Sequence, residues 1–267
     1  MLYKVKAIVL GGIDIKEADK IVTLYSRERG KIRAVAKGVR KTKSKFGSSL
    51  EPFCLSNFVI YSKYSGLHHA QPSGLLDIIK DAEIEFSHRS LRQDIFCFAY
   101  ASFVSELVSS MTEEGPHGDP RIFYLLKEFL SIDPKEPQNL KKRFLNYSAY
   151  SFSFRFFDVL GYSPFIEECA ICGSRDIVSK KKMGFSVNEG GIICEPCKDK
   201  KSGMPQFSFS SLQYFRKLLV SDACFLKNLK ITEPQEREIK KVLQDYFDFY
   251  LKRELRSMRF LESLMEA

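Results

Sequence analysis

Four cysteines stand in two pairs of equal spacing, Cys169 with Cys172 and Cys194 with Cys197. Two residues between the sulfurs of a pair let one tight turn aim both at the same ion. Four thiolates suit Zn²⁺, which is soft enough for sulfur and accepts a closed tetrahedron without redox chemistry. Gly173 relieves the backbone beside the first pair, and Gly190 and Gly191 supply a turn before the second. The stretch between the pairs, from Gly173 to Ile193, is slightly longer than is usual in such modules. Full protein ligation leaves no open coordination position, so one zinc ion here is expected to be structural. Cys54, Cys97 and Cys224 lie in apolar contexts and read as core. An odd total of seven, with four in matched pairs, reads as metal ligation in a reducing compartment rather than a disulfide framework.

The second chemical signal is charge. The chain carries a formal +9, and residues 1–45 alone hold 13 Lys+Arg against 4 Asp+Glu. Residues 46–267 therefore sum to zero. A field confined to one small unit suits a polyanionic partner. Its centre is Lys31, Arg33, Lys37, Arg40, Lys41, Lys43 and Lys45. Residues 31–36 alternate, so Lys31 and Arg33 should face one side of a strand and Ile32, Ala34 and Ala36 the other. From Gly38 to Gly47 the chain is too basic for core and reads as a loop. Cations placed there neutralise phosphates and release counterions, which gives salt-dependent, sequence-tolerant affinity. Tyr25, Phe46 and Phe53 are candidate stacking faces, with core packing the commoner fate of such rings.

The elements that must position these groups follow from periodicity. Residues 3–10, 20–26, 31–37 and 55–62 read as strands, and 67–71 as a fifth. Arg29 and Gly30 mark a hairpin turn. Five short strands in about 80 residues suit a small barrel of the OB type. Past Gly74 the pattern reads as helical: 91–108, a start at Asp119 and Pro120, 140–160, and an amphipathic run from Ile239 to Leu251 preceded by a Thr232–Gln235 capping box. No apolar run approaches the roughly 18 residues a membrane span needs. The start lacks the features of a cleaved leader.

The stretches Ala7–Leu10, Glu17–Leu24, Gly30–Gly38, Ser44–Lys45 and Leu50–Phe53 resemble, in order and spacing, the N-terminal domain of the bacterial RecO family of recombination mediators. The resemblance extends through Leu160, Gly161 and Tyr162 before the cysteine pairs, as in zinc-bearing members, to a closing basic helix at 255–261 that departs slightly from the usual order. It implies an α+β multidomain fold: an OB-fold barrel over 1–80, a helical bundle over 81–164 and 204–267, and a four-cysteine zinc finger inserted at 165–203. It implies a non-catalytic, cytoplasmic, nucleoid-associated protein of homologous-recombination repair. Such a protein binds single- and double-stranded DNA and anneals complementary strands. With RecR it helps load RecA on strands coated by single-stranded-DNA-binding protein. It also implies a groove on the helical domain for the acidic tail of that coating protein, where Lys142 and Arg143, with Arg256 and Arg259, are the expected cations.

Two other readings compete. A zinc-ribbon regulator of transcription or RNA would share the metal site and the basic segment, and it should not anneal coated strands. A nuclease would use Asp14, Glu17 and Asp19 as a metal cluster, although solvated charges at the edge of a β unit are the commoner meaning. No P-loop is present, since Gly11 and Gly12 lack the Gly-Lys-Ser/Thr ending. His68, His69, His88 and His117 are not spaced as a metal triad.

Overall fold

The computed structural model describes residues 1–41, 44–62, 76–115, 117–132, 138–177, 183–200, 206–220 and 223–266. The chain divides into two compact units, Met1–Lys135 with Leu255–Ala267, and Glu136–Glu254.

The first unit opens with a closed barrel of five strands in the order β1-β2-β3-β5-β4. Its strands are β1 (Leu2–Ile15), β2 (Asp19–Ser26), β3 (Gly30–Ala36), β4 (Leu55–Tyr61) and β5 (Asp77–Phe86). β1 is long enough to pair with β4 over its first half and β2 over its second, with a register shift between Val9 and Gly11. Such a shift bends a strand round a barrel corner. β3 alternates buried and half-buried residues as its sequence demands. Ile32, Ala34 and Ala36 turn inward to join Val5, Val22, Leu24, Phe58, Ile60 and Ile79 in one core. The ring closes through a short parallel contact, Ala34 opposite Asp77 and Val35 opposite Ile78.

The sequence points to a fifth strand at 67–71. Residues 67–71 lie outside the described residues, and the segment that closes the barrel is Asp77–Phe86. The barrel thus runs beyond residue 80, and helix begins only at Arg89. Past Ile79 this strand is largely exposed and rich in Asp and Glu, so its own residues give a weak strand signal. Its conformation comes from the ladder with β4, a case of tertiary pairing overriding propensity.

Helices α1 (Arg89–Gln93), α2 (Ile95–Met111) and α3 (Pro120–Leu130) complete the N-terminal part of this unit. Asp94 caps α2, accepting from Cys97 N at 3.0 Å. Asp119 caps α3, accepting from Arg121 N at 2.8 Å, with Pro120 at the first helical position. The last helix, α9 (Arg256–Glu266), belongs to this unit too. Glu106 of α2 caps it, accepting from Arg256 N at 3.2 Å and from Ser257 N at 2.8 Å.

The second unit is built on α4 (Gln138–Val159). Phe152, Phe154, Phe156 and Phe157 on this helix are all buried. Around it lie a three-stranded sheet of β6 (Met183–Ser186), β7 (Gly191–Ile193) and β8 (Gln206–Phe207), and helices α5 (Glu195–Lys198), α6 (Phe209–Val220), α7 (Ala223–Asn228) and α8 (Glu233–Tyr250). The expected capping residues open α8: Thr232 N donates to Gln235 Oε1 at 2.9 Å. Rings from sheet and helices meet in one aromatic core, with Phe185 of β6 6.0 Å from Phe215 and 6.3 Å from Tyr246 between centroids. No helix among the described residues is long and apolar enough to cross a membrane.

Candidate nucleic-acid interface and metal centre

The basic segment does not act as one piece. Lys31 lies on the outer face of β3, but its ammonium is turned onto the end of α2. Nζ donates to Ser109 O at 2.8 Å and also to Thr112 O. A helix leaves its last carbonyls unpaired and its C-terminus electronegative, so a cation belongs there. Burial pushes the Lys31 pKa down from its ordinary value, partly offset by Glu114. Arg33, the next outward residue, faces Glu114 at 3.5 Å. Lys43 lies outside the described residues.

Beyond β3 the cations reach solvent, although Arg40 and Lys45 also have partners within the protein. Lys37, Arg40, Lys41 and Lys45 are exposed. Gly38 takes a positive φ of 67° at the turn, which favours glycine. Its N–H donates to Asp19 Oδ1 at 2.8 Å. Arg40 Nε lies 3.4 Å from Asp14 Oδ2, its guanidinium reaches Glu17 O at 3.4 Å, and its N–H donates to Ala18 O at 3.1 Å. Two of the three carboxylates considered as a nuclease cluster have partners: Asp19 accepts from the Gly38 N–H, and Asp14 pairs with Arg40 and, at 3.7 Å, with Lys20. Among the described residues the one group of three or more potential metal ligands is the four cysteines. Lys45 donates to Lys80 O, and its ammonium lies 5.2 Å from the Phe46 ring centroid.

The hairpin turn between β1 and β2 brings one exposed cation the sequence reading missed, Lys16, to this end of the barrel. Aligning residues 13–15 with 19–21 as a hairpin would have found it. The three candidate stacking rings are core: Tyr25, Phe46 and Phe53 are all buried. Tyr25 instead donates its hydroxyl to Asp119 O at 3.1 Å.

In the second unit the four cysteine sulfurs lie within 4.8 Å of one another, and Cys172 Sγ is 3.7 Å from Cys194 Sγ. A tetrahedron with zinc–sulfur bonds of about 2.3 Å has sulfurs about 3.8 Å apart, so the donor set fits one thiophilic ion. Local backbone makes each pair. Gly173 N donates to Cys169 O at 2.8 Å with Gly173 at φ 68°, and Cys197 N donates to Cys194 O at 3.1 Å. Cys194 N points at Cys169 Sγ, 3.4 Å away. Burial alone would raise the Cys169 thiol pKa, but N–H groups of Cys194, Cys172 and Ile171 outweigh it and bring it to about 6. Hydrogen bonding to Cys194 pushes Cys197 up to about 12. Gly191 is pressed against Phe165, where a Cβ would lie 2.2 Å from the Phe165 carbonyl oxygen. That contact lets Ile192 N bond Phe165 O at 2.9 Å and Ala170 N bond Ile192 O at 2.8 Å, which ties the first cysteine turn to the strand before the second.

The cations expected to receive an acidic tail fall in different units. Lys142, half-buried, and exposed Arg143 lie on α4, whereas Arg256 and Arg259 are exposed on α9.

A closed OB-type barrel with a cationic loop, joined to a helical unit that carries a four-cysteine cluster able to hold a metal ion, defines a multidomain protein of the OB-barrel class. Comparison with known proteins gives the family. Residues 1–77 match the family described as Recombination protein O N terminal, and residues 92–259 match Recombination protein O C terminal. The chain is 29% identical over 266 residues to the DNA repair protein RecO of Desulforamulus reducens, covering 100% of this chain and 96% of that protein. It is 31% identical over 267 residues to the DNA repair protein RecO of Bacillus mycoides, covering 99% and 98%. The chain belongs to the RecO family of recombination and DNA repair proteins.

Proposed function

We propose that this chain is a non-catalytic mediator of homologous-recombination repair. It binds the backbone of single- and double-stranded DNA, anneals complementary strands, and with RecR helps load RecA onto strands coated by single-stranded-DNA-binding protein. The observation that carries the reading is the placement of charge. The entire +9 excess lies in residues 1–45, and Lys37, Arg40, Lys41 and Lys45 stand exposed on one loop of the barrel. Family membership supports the pathway. The four cysteines hold one structural zinc, whose closed thiolate shell supports folding and supplies no chemistry. Of the cations expected for the acidic tail of the coating protein, Lys142 and Arg143 on α4 are the ones assigned to it here.

The test is annealing of complementary strands with and without the coating protein, in the natural chain and in Arg40→Gln with Lys41→Gln. Losing two phosphate contacts should lower the log-salt slope for single strands by about 1.4 in magnitude. Affinity should fall for all sequences alike, since backbone contacts carry no base information. An unchanged affinity and slope would place the DNA surface elsewhere. Failure to anneal coated strands would refute the mediator role.

A further inference from the structure

The outer face of β3 is covered by an acidic strap. After α2 the chain crosses back over the barrel, and its described residues, 112–115 and 117–119, run beside the strand. Glu114 forms a parallel bridge with Lys31. At the far end Gly118 is packed so closely on the β2–β3 turn that a Cβ there would lie 2.0 Å from Gly30 Cα. Tyr25 holds Asp119 O at 3.1 Å, and Lys31 holds Ser109 O and Thr112 O. The strap is therefore fixed at both ends by contacts that do not involve the Glu114 carboxylate. That carboxylate, 38% exposed, is left to face the Arg33 guanidinium, 41% exposed, at 3.5 Å.

A carboxylate and a phosphate present a guanidinium with the same kind of anionic oxygen acceptors. Arg33 lies on the same strand that leads into the exposed loop of Lys37, Arg40 and Lys41. A nucleic-acid backbone following that loop inward meets Arg33 next, and finds it already paired.

We propose that Glu114 is an internal phosphate competitor. Its carboxylate occupies on Arg33 the place of a backbone phosphate, so the inner end of β3 contributes to binding only when a strand displaces it. This deepens the proposed function and rests on the barrel loop being the DNA surface. The pair is half-exposed, so its attraction is screened by solvent and a phosphate can compete for Arg33.

The test uses the full chain and an unstructured single-stranded oligonucleotide, titrated at several salt concentrations. Glu114→Gln keeps the side chain's length and the strap's backbone anchors while removing the charge. One released phosphate contact should steepen the log-salt slope by about 0.7 and tighten binding about fivefold at 0.1 M salt. The control for mechanism is Arg33→Gln with Glu114→Gln. If Glu114 acts through Arg33, the gain disappears in this double variant. A gain that survives without Arg33 would mean that Glu114 merely repels the strand through its general field, and would overturn the proposal. So would a Glu114→Gln protein with natural slope and affinity. Arg40→Gln with Lys41→Gln, measured in parallel, separates the two levels: if that variant also binds as the natural chain does, the loop is not the DNA surface and the underlying reading fails as well.

Discussion

Lys31 is where sequence and structure assign one residue two opposed roles, and replacing it separates them. Lys31→Met keeps most of the aliphatic stem and removes the ammonium. The structure gives that group two bonds to carbonyls at the end of α2. Hydrogen bonds involving a charged group contribute about 1.5–3 kcal/mol, and a cation at a helix C-terminus about 0.3–1 kcal/mol more. Because Lys31 is only half-buried, the expected loss is near the low end, about 2 kcal/mol. For a unit of this size that corresponds to a fall of about 4–8 °C in Tm. Calorimetry gives the midpoint, and amide exchange of peptides covering residues 105–112 shows whether the end of α2 is what loosens. DNA affinity measured well below the midpoint should stay within about twofold of the natural chain, since the ammonium is already engaged. A protein that keeps its Tm and amide protection but loses about fivefold in DNA affinity, the value of one phosphate contact at 0.1 M salt, would refute this reasoning.

Four further outcomes are expected. Cys197→Ser should lower the bound metal from one equivalent, measured by elemental analysis, and loosen the sheet behind it, because ligation and folding are coupled; full metal content would refute the four-cysteine site. Gly118→Ala should be among the most damaging single changes in the first unit, at about 3 kcal/mol or more, since backbone rather than a flexible side chain meets the added Cβ; urea titration reads this directly. His88 is buried beside Phe86, and desolvation, with smaller effects from Arg92 and Lys127, depresses its pKa to about 4. The unfolded chain therefore takes up this proton near pH 6.5 and the folded one only near 4, so stability falls across that window as pH is lowered, by up to about 1.4 kcal/mol per pH unit. A urea midpoint in His88→Gln as acid-sensitive as the natural chain's between pH 6.5 and 5 would remove the assignment. Finally, Arg143→Glu should abolish binding of a fluorescent acidic peptide ending in Phe while leaving naked-DNA affinity within about twofold; undiminished peptide binding would sink the tail site.

Much of the architecture was legible because it is written locally. Alternation in residues 31–36 gave the two faces of β3, Asp119 and Pro120 gave the start of α3, and Thr232 with Gln235 gave the start of α8. The cysteine cluster was readable for the same reason: each pair is one turn, and only their meeting is long-range. What failed was set by distant partners. β5 is a strand because β4 pairs with it, and its own run of Asp and Glu says little. Lys31 reads as a surface cation until the distant end of α2, at Ser109 and Thr112, arrives beneath its ammonium. Phe46 follows a basic run in the sequence yet joins the barrel core, while Tyr25 and Phe53 are buried outside it, Tyr25 against Asp119 O and Phe53 beside Phe98. Asp14 and Asp19 looked free because the groups that engage them, the Gly38 N–H and the Arg40 guanidinium, come only after two intervening strands.

The docking of α9 bears on the order in which this chain is made. The N-terminal unit is not complete when synthesis has passed Lys135, because Leu255–Ala267 belongs to it. Until then Glu106 lacks the two backbone N–H groups it caps, and the side of α2 that packs against α9 is bare. At about 5–20 residues per second, the intervening stretch of about 120 residues takes roughly 6–24 s to emerge. Throughout that time the ribosome carries an N-terminal unit without its last helix. A truncation or frameshift ahead of α9 thus reaches back to the unit that carries the barrel, although the barrel's basic loop was completed long before it.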